Sequence, residues 1–153
     1  MLEKIKYLTA GESHGLGLLG IIDGIPSNLE INEEYIKVQL QRRQKGHGRS
    51  NRMKIESDHA KLYRGVRQGV SIGAPIGLII ENKDSKNWSQ SMSVEKNDYN
   101  KKVTLPRPGH ADLAGIMKFG FDDIRNVIER SSARETAMRV AIASVCRKLL
   151  DEL

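Results

Sequence analysis

The chain has 153 residues, 39% hydrophobic and 29% charged, which is typical of a globular domain with one core. It contains no apolar run of the roughly 18 residues that a membrane-spanning helix needs, and its first residues lack the apolar region of a secretory signal. A lone cysteine, Cys146, excludes an internal disulfide. We expect a single domain over residues 1–153, in the cytoplasm and without a membrane partner.

The net charge of +6 is concentrated in one segment of the chain. Between Tyr35 and Ile55 there are seven basic residues and no acidic one, so this segment alone carries more positive charge than the whole chain. Such a patch could bind nucleic acid or a small polyanion. Tyr35 is its only aromatic residue, so a stacking surface for single-stranded nucleic acid is poorly supported.

Two strands joined by a turn are predicted at residues 4–10 and 18–26. The turn holds Gly-x-Ser-x-Gly at 11–15, the pattern of an esterase nucleophile elbow, and Gly-x-Gly-x-x-Gly at 15–20, that of a dinucleotide-binding loop. Both motifs require a helix directly afterwards, and the sequence predicts a strand there. We therefore expect a hairpin whose turn presents Glu12, Ser13 and His14.

The first predicted helix follows Asn32, a suitable N-cap, and extends to about Gln44 with Ile36 and Leu40 on one face. Gly46 would stop it, and the glycines of the loop 45–51 would permit close approach to a ligand. A solvated loop is an equally good interpretation. Further strands are predicted at residues 52–57, 61–70 and 76–81.

Residues 82–104 are polar, and we interpret them as a surface excursion or lid. Short helices are predicted at 111–118 and 122–129. A last helix begins near Ala133 and has a wide apolar face. It reaches the final residue without a stop signal, which suggests a fragment of a longer chain. The order of elements predicts an α+β fold with mainly antiparallel pairing.

Two stretches in the second half of the chain contain side chains suited to catalysis or to anion binding. Residues 107–112 read Arg-Pro-Gly-His-Ala-Asp, which places His110 in a tight turn three residues after Arg107. Residues 130–136 read Arg-Ser-Ser-Ala-Arg-Glu-Thr, in which Ser132 and Glu135 have the spacing of a capping box. Adjacent serines and arginines at a helix start suit a phosphate or another anion. Each feature alone is compatible with a capped helix after a polar turn, but together they favour a binding site.

The motifs at 11–15, 42–43 with 48–49, 107–112 and 129–136 occur in one order. The series resembles the N-terminal part of chorismate synthase over essentially the whole chain. The resemblance implies a β-α-β sandwich with helices between antiparallel sheets, a chain more than twice as long and a homotetramer. It also implies a flavoprotein lyase, associated with reduced FMN and NADP, that acts in the shikimate pathway of aromatic amino acid biosynthesis. Its substrate would be 5-enolpyruvylshikimate 3-phosphate, from which a 1,4-anti elimination of phosphate gives chorismate.

Residue roles also follow from the resemblance. His14 would protonate the departing phosphate and His110 the reduced flavin. The substrate's phosphate and carboxylates would be held by four arginines, namely Arg43, Arg49, Arg107 and Arg134. FMN would be contacted by Arg130, Ser131 and Ser132, and no metal is implied. His47 and Phe119 stand where the family more often has tyrosine, and the isolated fragment is expected to be poorly active.

Arginine suits a ligand with several anionic groups because its guanidinium binds such oxygens in pairs. An imidazole can still be protonated near neutrality, as a donor to departing phosphate must be. A basic nucleic-acid-binding module, a serine hydrolase using Ser13 and a non-functional remnant remain the alternatives. The first would leave His14 and His110 unexplained.

Overall fold

The computed structural model describes residues 4–45, 58–132 and 134–153. Several predicted features lie outside this part of the chain: the strand at 52–57, the glycine loop after residue 45, the Gly46 stop, and the residues His47 and Arg49. The elements in chain order are β1 (Lys6–Gly11), β2 (Gly17–Asp23), α1 (Glu33–Gln44), β3 (Ala60–Arg64), β4 (Val66–Arg67), β5 (Val70–Ser71), β6 (Ile76–Glu81), a 3-10 helix (Lys83–Trp88), α2 (Asp112–Phe119), α3 (Arg125–Arg130) and α4 (Glu135–Asp151).

Four strands form one antiparallel sheet in the order β1-β2-β6-β3, and β4 pairs with β5 as a separate two-stranded ribbon. The predicted hairpin is confirmed, with Lys6 opposite Asp23 and Gly11 opposite Leu18. The α+β class with antiparallel sheets is likewise confirmed. In the described residues, no helix is long and apolar enough to cross a membrane.

Helices α1 and α4 pack on one face of the sheet. Alternate residues of β2 point into this layer, so Leu18 and Ile22 are fully buried. Gly20 lies between them, and a Cβ atom there would be 2.5 Å from the Met138 sulfur of α4. The glycine therefore allows the close approach of α4 to the sheet.

Helix α1 agrees closely with its prediction. The Asn32 side chain accepts a hydrogen bond from the Tyr35 backbone N–H at 2.9 Å, and Ile36 and Leu40 are fully buried. Glu33 and Glu34 occupy the first turn, where the positive end of the helix dipole stabilises negative charge. The helix is thus specified by residues within it.

Two predictions about elements were wrong. The long strand at 61–70 is interrupted, because Gly65 adopts a φ of +91° and the chain leaves the four-stranded sheet. The capping box is absent: α4 begins at Glu135, without a side-chain cap. The Glu135 carboxylate instead accepts hydrogen bonds from Thr9, Arg130 and Arg139, and these contacts replace the local one.

Candidate active site

The loop between β1 and β2 is held by residues distant in the sequence. Ser13 is buried; its backbone N–H donates to the Glu129 carbonyl at 3.1 Å and its hydroxyl to the Ser132 hydroxyl at 3.0 Å. Asn82 donates from its side-chain amide to the carbonyls of Glu12 and Gly15, both at 3.0 Å. A strand follows this loop, so Ser13 lacks the context of a nucleophile elbow.

His14, presented by this loop, is bound to the buried carboxylate of Glu129. Its Nδ1 is 2.9 Å from both carboxylate oxygens, and its backbone N–H donates to Oε2 at 2.8 Å. The other side of the carboxylate faces Arg125, whose Nη1 is 3.4 Å from Oε1. The imidazole also packs against Trp88, with ring centroids 4.0 Å apart and ring planes tilted by 34°. These contacts fix both the position and the orientation of the ring.

His110 lies in the turn before α2, where its backbone N–H donates to the Arg107 carbonyl and Gly109 has a φ of +71°. Arg107 makes three hydrogen bonds to Asp112, from its backbone N–H at 2.9 Å and from Nε and Nη2 at 2.8 Å. Asp112 is completely buried. The hydrogen bonds from Arg107 hold the pKa of Asp112 well below its ordinary range, and Asp112 in turn raises the pKa of Arg107. His110 Nδ1 is 3.0 Å from Arg107 Nη2.

A second buried carboxylate network joins Arg43 and Arg134. Arg43 Nη1 donates to one oxygen of Asp58 at 3.0 Å and Arg134 Nη1 to the other. Arg134 also donates from Nε to the Asn82 side chain at 2.8 Å and is only 7% exposed. Its guanidinium therefore connects Asp58 to the residue that holds the His14 loop.

The Arg130–Ser132 turn ends α3 and lies beside that loop. Arg130 is exposed and donates to the Thr9 carbonyl at 3.1 Å and to its hydroxyl at 2.9 Å. The Ser131 hydroxyl donates to the Val127 carbonyl at 2.6 Å. The Ser132 oxygen accepts from Ser13 and from the Arg134 backbone N–H.

A cavity of about 840 Å³ opens between the His14 loop, the start of α2 and the end of α3. Phe119 and Phe121 stack at its wall with centroids 5.6 Å apart. Glu129, which binds His14, and Ala111, next to His110 in the chain, both line it. The residues around the cavity are Glu12, Ser91, Met92, Ser93, Val94, Ala111, Ala114, Gly115, Lys118, Phe119, Phe121, Arg125, Asn126, Val127, Glu129, Arg130 and Ser131.

The structure thus brings Glu12 of the His14 loop, Ala111 of the His110 turn, Arg130 and Ser131 to one cavity. Four other predicted site residues are not part of its lining, namely His14, His110, Arg107 and Ser132. Arg43 and Arg134 are not among the residues that line it; they meet at Asp58. No group of three or more potential metal ligands occurs in the described ranges.

Sequence reasoning missed four side chains that organise the site, namely Glu129, Asp112, Asp58 and Asn82. Glu129 and Asp112 lie inside the motifs at 129–136 and 107–112, and two acidic residues amid arginines could have indicated them. Asp58 and Asn82 carry no comparable local signal, because their partners are far along the chain.

The family model described as chorismate synthase matches residues 5–153. Chorismate synthase of Alkaliphilus metalliredigens is 56% identical over 148 residues, with 96% of this chain and 39% of the relative covered. Chorismate synthase of Geobacillus thermodenitrificans is 52% identical over 153 residues, with 97% and 39% covered. A solved structure titled "Crystal Structure of Chorismate Synthase" is 41% identical, has a TM-score of 0.73 and is matched over 99% of this chain and 36% of its own. The chain thus spans about two fifths of the length of these relatives.

Proposed function

Because the chain belongs to the chorismate synthase family, we propose that it serves the 1,4-anti elimination of phosphate from 5-enolpyruvylshikimate 3-phosphate, giving chorismate, with reduced FMN as cofactor. The observation that carries the proposal is the single cavity beside which the His14 loop, the His110 turn and the Arg130–Ser132 turn meet. The proposal extends to a cytoplasmic homotetramer for the complete protein, with NADP as an associated nucleotide.

His14 is the proposed acid for the departing phosphate. An imidazolium that donates a proton there needs a fixed position and a counter-charge, and buried Glu129 supplies both. The phosphate leaves with the bonding electron pair, so its negative charge grows as the carbon–oxygen bond breaks. A preorganised donor aimed at such a charge lowers the barrier by about 3 kcal/mol.

Cationic side chains are proposed to hold the anionic groups of the substrate. Arg107 is 45% exposed beside His110, and its guanidinium is aligned by Asp112. Arg43, Arg49 and Arg134 complete the proposed set. The shared Asp58 positions Arg43 and Arg134 rigidly, which reduces the entropy lost when a ligand is bound.

The lining of the cavity fits a flavin mononucleotide in two respects. Stacked Phe119 and Phe121 suit a planar ring system, while exposed Arg130 suits a phosphate. Arg125 also faces the cavity, and its buried Nε atom has no hydrogen-bond partner among the residues that the structure describes. Reduced FMN, when bound, supplies the electron-rich group that the family's elimination requires. Arg130, Ser131 and Ser132 would hold it, and His110 would protonate it.

The test uses a chimaera that joins this chain to the remaining length of the Alkaliphilus metalliredigens relative. We expect phosphate release under anaerobic conditions with reduced FMN, and low turnover from the 153 residues by themselves. His14→Ala and His110→Ala should each reduce kcat at least about a hundredfold with little change in KM. His59→Ala is the matched control, because His59 is 46% exposed and pairs with Glu33, away from the cavity.

Two outcomes would refute the proposal. One is a folded chimaera without activity when its parent relative is active under the same conditions. The other is a near-normal rate in both the His14 and His110 variants.

A further inference from the structure

The two histidines contact their neighbours through the same ring nitrogen, but these neighbours differ in hydrogen-bonding chemistry. A neutral imidazole has one N–H and one lone pair, and the partner of one nitrogen decides which nitrogen carries the proton. At His14 the partner of Nδ1 is a carboxylate, and at His110 it includes a guanidinium. The environment therefore specifies a tautomer for each ring.

At His14 the proton belongs on Nδ1. Both oxygens of Glu129 lie 2.9 Å from this nitrogen, and an ionised carboxylate can only accept hydrogen bonds. Glu129 remains the acceptor because it also receives the His14 backbone N–H, and Arg125 Nη1 lies at 3.4 Å. A neutral His14 consequently has its lone pair on Nε2.

At His110 the proton belongs on Nε2. Arg107 Nη2 can only donate, and it lies 3.0 Å from Nδ1, so Nδ1 must supply a lone pair. Asp112 Oδ1 also lies 3.1 Å from Nδ1 and would favour a proton there. However, the contact of Nδ1 with Arg107 Nη2 has the geometry of a hydrogen bond, whereas Asp112 Oδ1 already accepts from the same Nη2 at 2.8 Å. The guanidinium prevails because it retains its protons at all ordinary pH values.

We infer that Glu129 and Arg107 are positioning residues that hold the imidazoles of His14 and His110 in opposite neutral tautomers. This deepens the proposed function, on which its catalytic meaning rests. A protonated His14 releases its Nε2 proton to a phosphate oxygen and returns, without moving, to the tautomer that Glu129 selects. A neutral His110 presents an Nε2–H hydrogen-bond donor to its ligand as long as Arg107 stays in place. To transfer that proton, the ring must first gain a proton on Nδ1, beside Asp112 Oδ1, so that a neutral imidazole remains afterwards.

The direct test is long-range ¹H–¹⁵N correlation NMR of the ¹⁵N-labelled chain, at a pH high enough that the imidazole signals no longer move. The chain has four histidines, and the two relevant sets of signals are assigned by their loss in His14→Gln and His110→Gln. We expect the protonated nitrogen to be Nδ1 in His14 and Nε2 in His110. The same tautomer in both rings would overturn the inference.

Substitution of Arg107 gives a second readout. In Arg107→Met the donor to Nδ1 is lost, while Asp112 Oδ1 remains 3.1 Å from it, so His110 should change to the Nδ1–H tautomer. The tautomer of His14 should not change in this variant. Arg139→Met is the matched control, since exposed Arg139 pairs with Glu135 on its own helix and should change neither ring. An unchanged His110 tautomer in folded Arg107→Met would contradict the role of Arg107.

These measurements are independent of turnover. An inactive chimaera with opposite tautomers would refute the proposed reaction and leave the inference intact. An active chimaera in which both rings have the same tautomer would support the proposed reaction and overturn the inference.

Discussion

Asp58 is a buried carboxylate shared by two arginines, and its removal should destabilise the protein more than any surface ion pair. It is 4% exposed, and its two oxygens accept from Arg43 Nη1 at 3.0 Å and from Arg134 Nη1. Arg134 is itself buried, so Asp58→Ala removes a counter-charge from a cation in the interior. Breaking a buried pair in this way costs about 3–5 kcal/mol.

The expected change is large enough to measure by ordinary denaturation. In a chain of this size, each kcal/mol lowers Tm by about 2–4 °C, so Asp58→Ala should lower Tm by roughly 6–20 °C. Urea unfolding followed by far-ultraviolet circular dichroism should show a lower midpoint with an unchanged slope.

Lys61→Ala provides the matched control. Lys61 pairs with Glu81 at 2.7 Å, and both side chains are more than half exposed. Solvent screens such a pair, so its loss should lower Tm far less than the loss of Asp58 does. If Asp58→Ala proved no more destabilising than Lys61→Ala, the buried-charge argument would be wrong.

Two further substitutions test the contacts that hold the histidines. Arg107→Met should destabilise the protein by about 3 kcal/mol near neutral pH, because it removes the guanidinium that pairs with the buried carboxylate of Asp112. Because the pKa of Asp112 is lowered in the folded state, its ionised form stabilises the folded chain at pH values above the ordinary aspartate pKa of about 4. The difference in free energy of unfolding between the parent chain and Arg107→Met, measured by urea unfolding, should therefore decrease as the pH falls below that value. Asn82→Ala removes three hydrogen bonds, each worth about 1 kcal/mol, and should accelerate amide hydrogen exchange at Ser13 and His14.

Each of these has its own control. Asn87→Ala removes an exposed asparagine whose contact is with Asp84 in the same short helix, and it should leave exchange in the His14 loop unchanged. Equal exchange rates in the Asn82 and Asn87 variants would mean that Asn82 does not hold the loop. If Arg107→Met is destabilised by the same free energy in acid as at neutral pH, the loss of the ion pair with Asp112 is not the cause of its lower stability.

The elements predicted correctly are those whose signals lie within one or two turns of chain. Asn32 caps α1 three residues before its donor, and β6 occupies the residues predicted for it, 76–81. The first hairpin follows from alternation and from the glycines between its strands. Such signals need no knowledge of the rest of the fold, which is why sequence alone sufficed.

The errors arose where a distant partner replaced a local one. Ser132 and Glu135 have the spacing of a capping box, but Glu135 binds Thr9, 126 positions away. Gly65 interrupts the predicted strand with a φ of +91°, and its backbone lies so close to Pro75 that a Cβ atom would be 2.4 Å from the Pro75 carbonyl oxygen. Neither partner could be chosen from spacing, since long-range pairing is determined by the packing of the whole domain.

The residues of the candidate site fall into the same two groups, those with a local sequence signal and those that depend on distant partners. His14 lies between two glycines of the motif at 11–15, and His110 lies in the motif at 107–112 with Arg107 and Gly109. The role of each histidine follows from the family resemblance and stays a prediction. Glu129, which holds His14, is 115 positions away, and Trp88, which packs against the imidazole, belongs to a segment predicted only as a surface excursion or lid. That lid role stays a prediction, but the contact already connects the start of the segment to the site.

The buried contacts also explain how residues that do not line the cavity can influence it. From Asp58 a continuous path of hydrogen bonds runs through Arg134 to Asn82 and on to the carbonyls of Glu12 and Gly15, on either side of His14. Every group on this path is buried or part-buried, so a change at one end leaves its neighbour unsatisfied and displaces it. We therefore predict that Arg134 influences the proposed proton transfer at His14 through the loop without touching a ligand, because the geometry of an acid depends on the backbone that presents it.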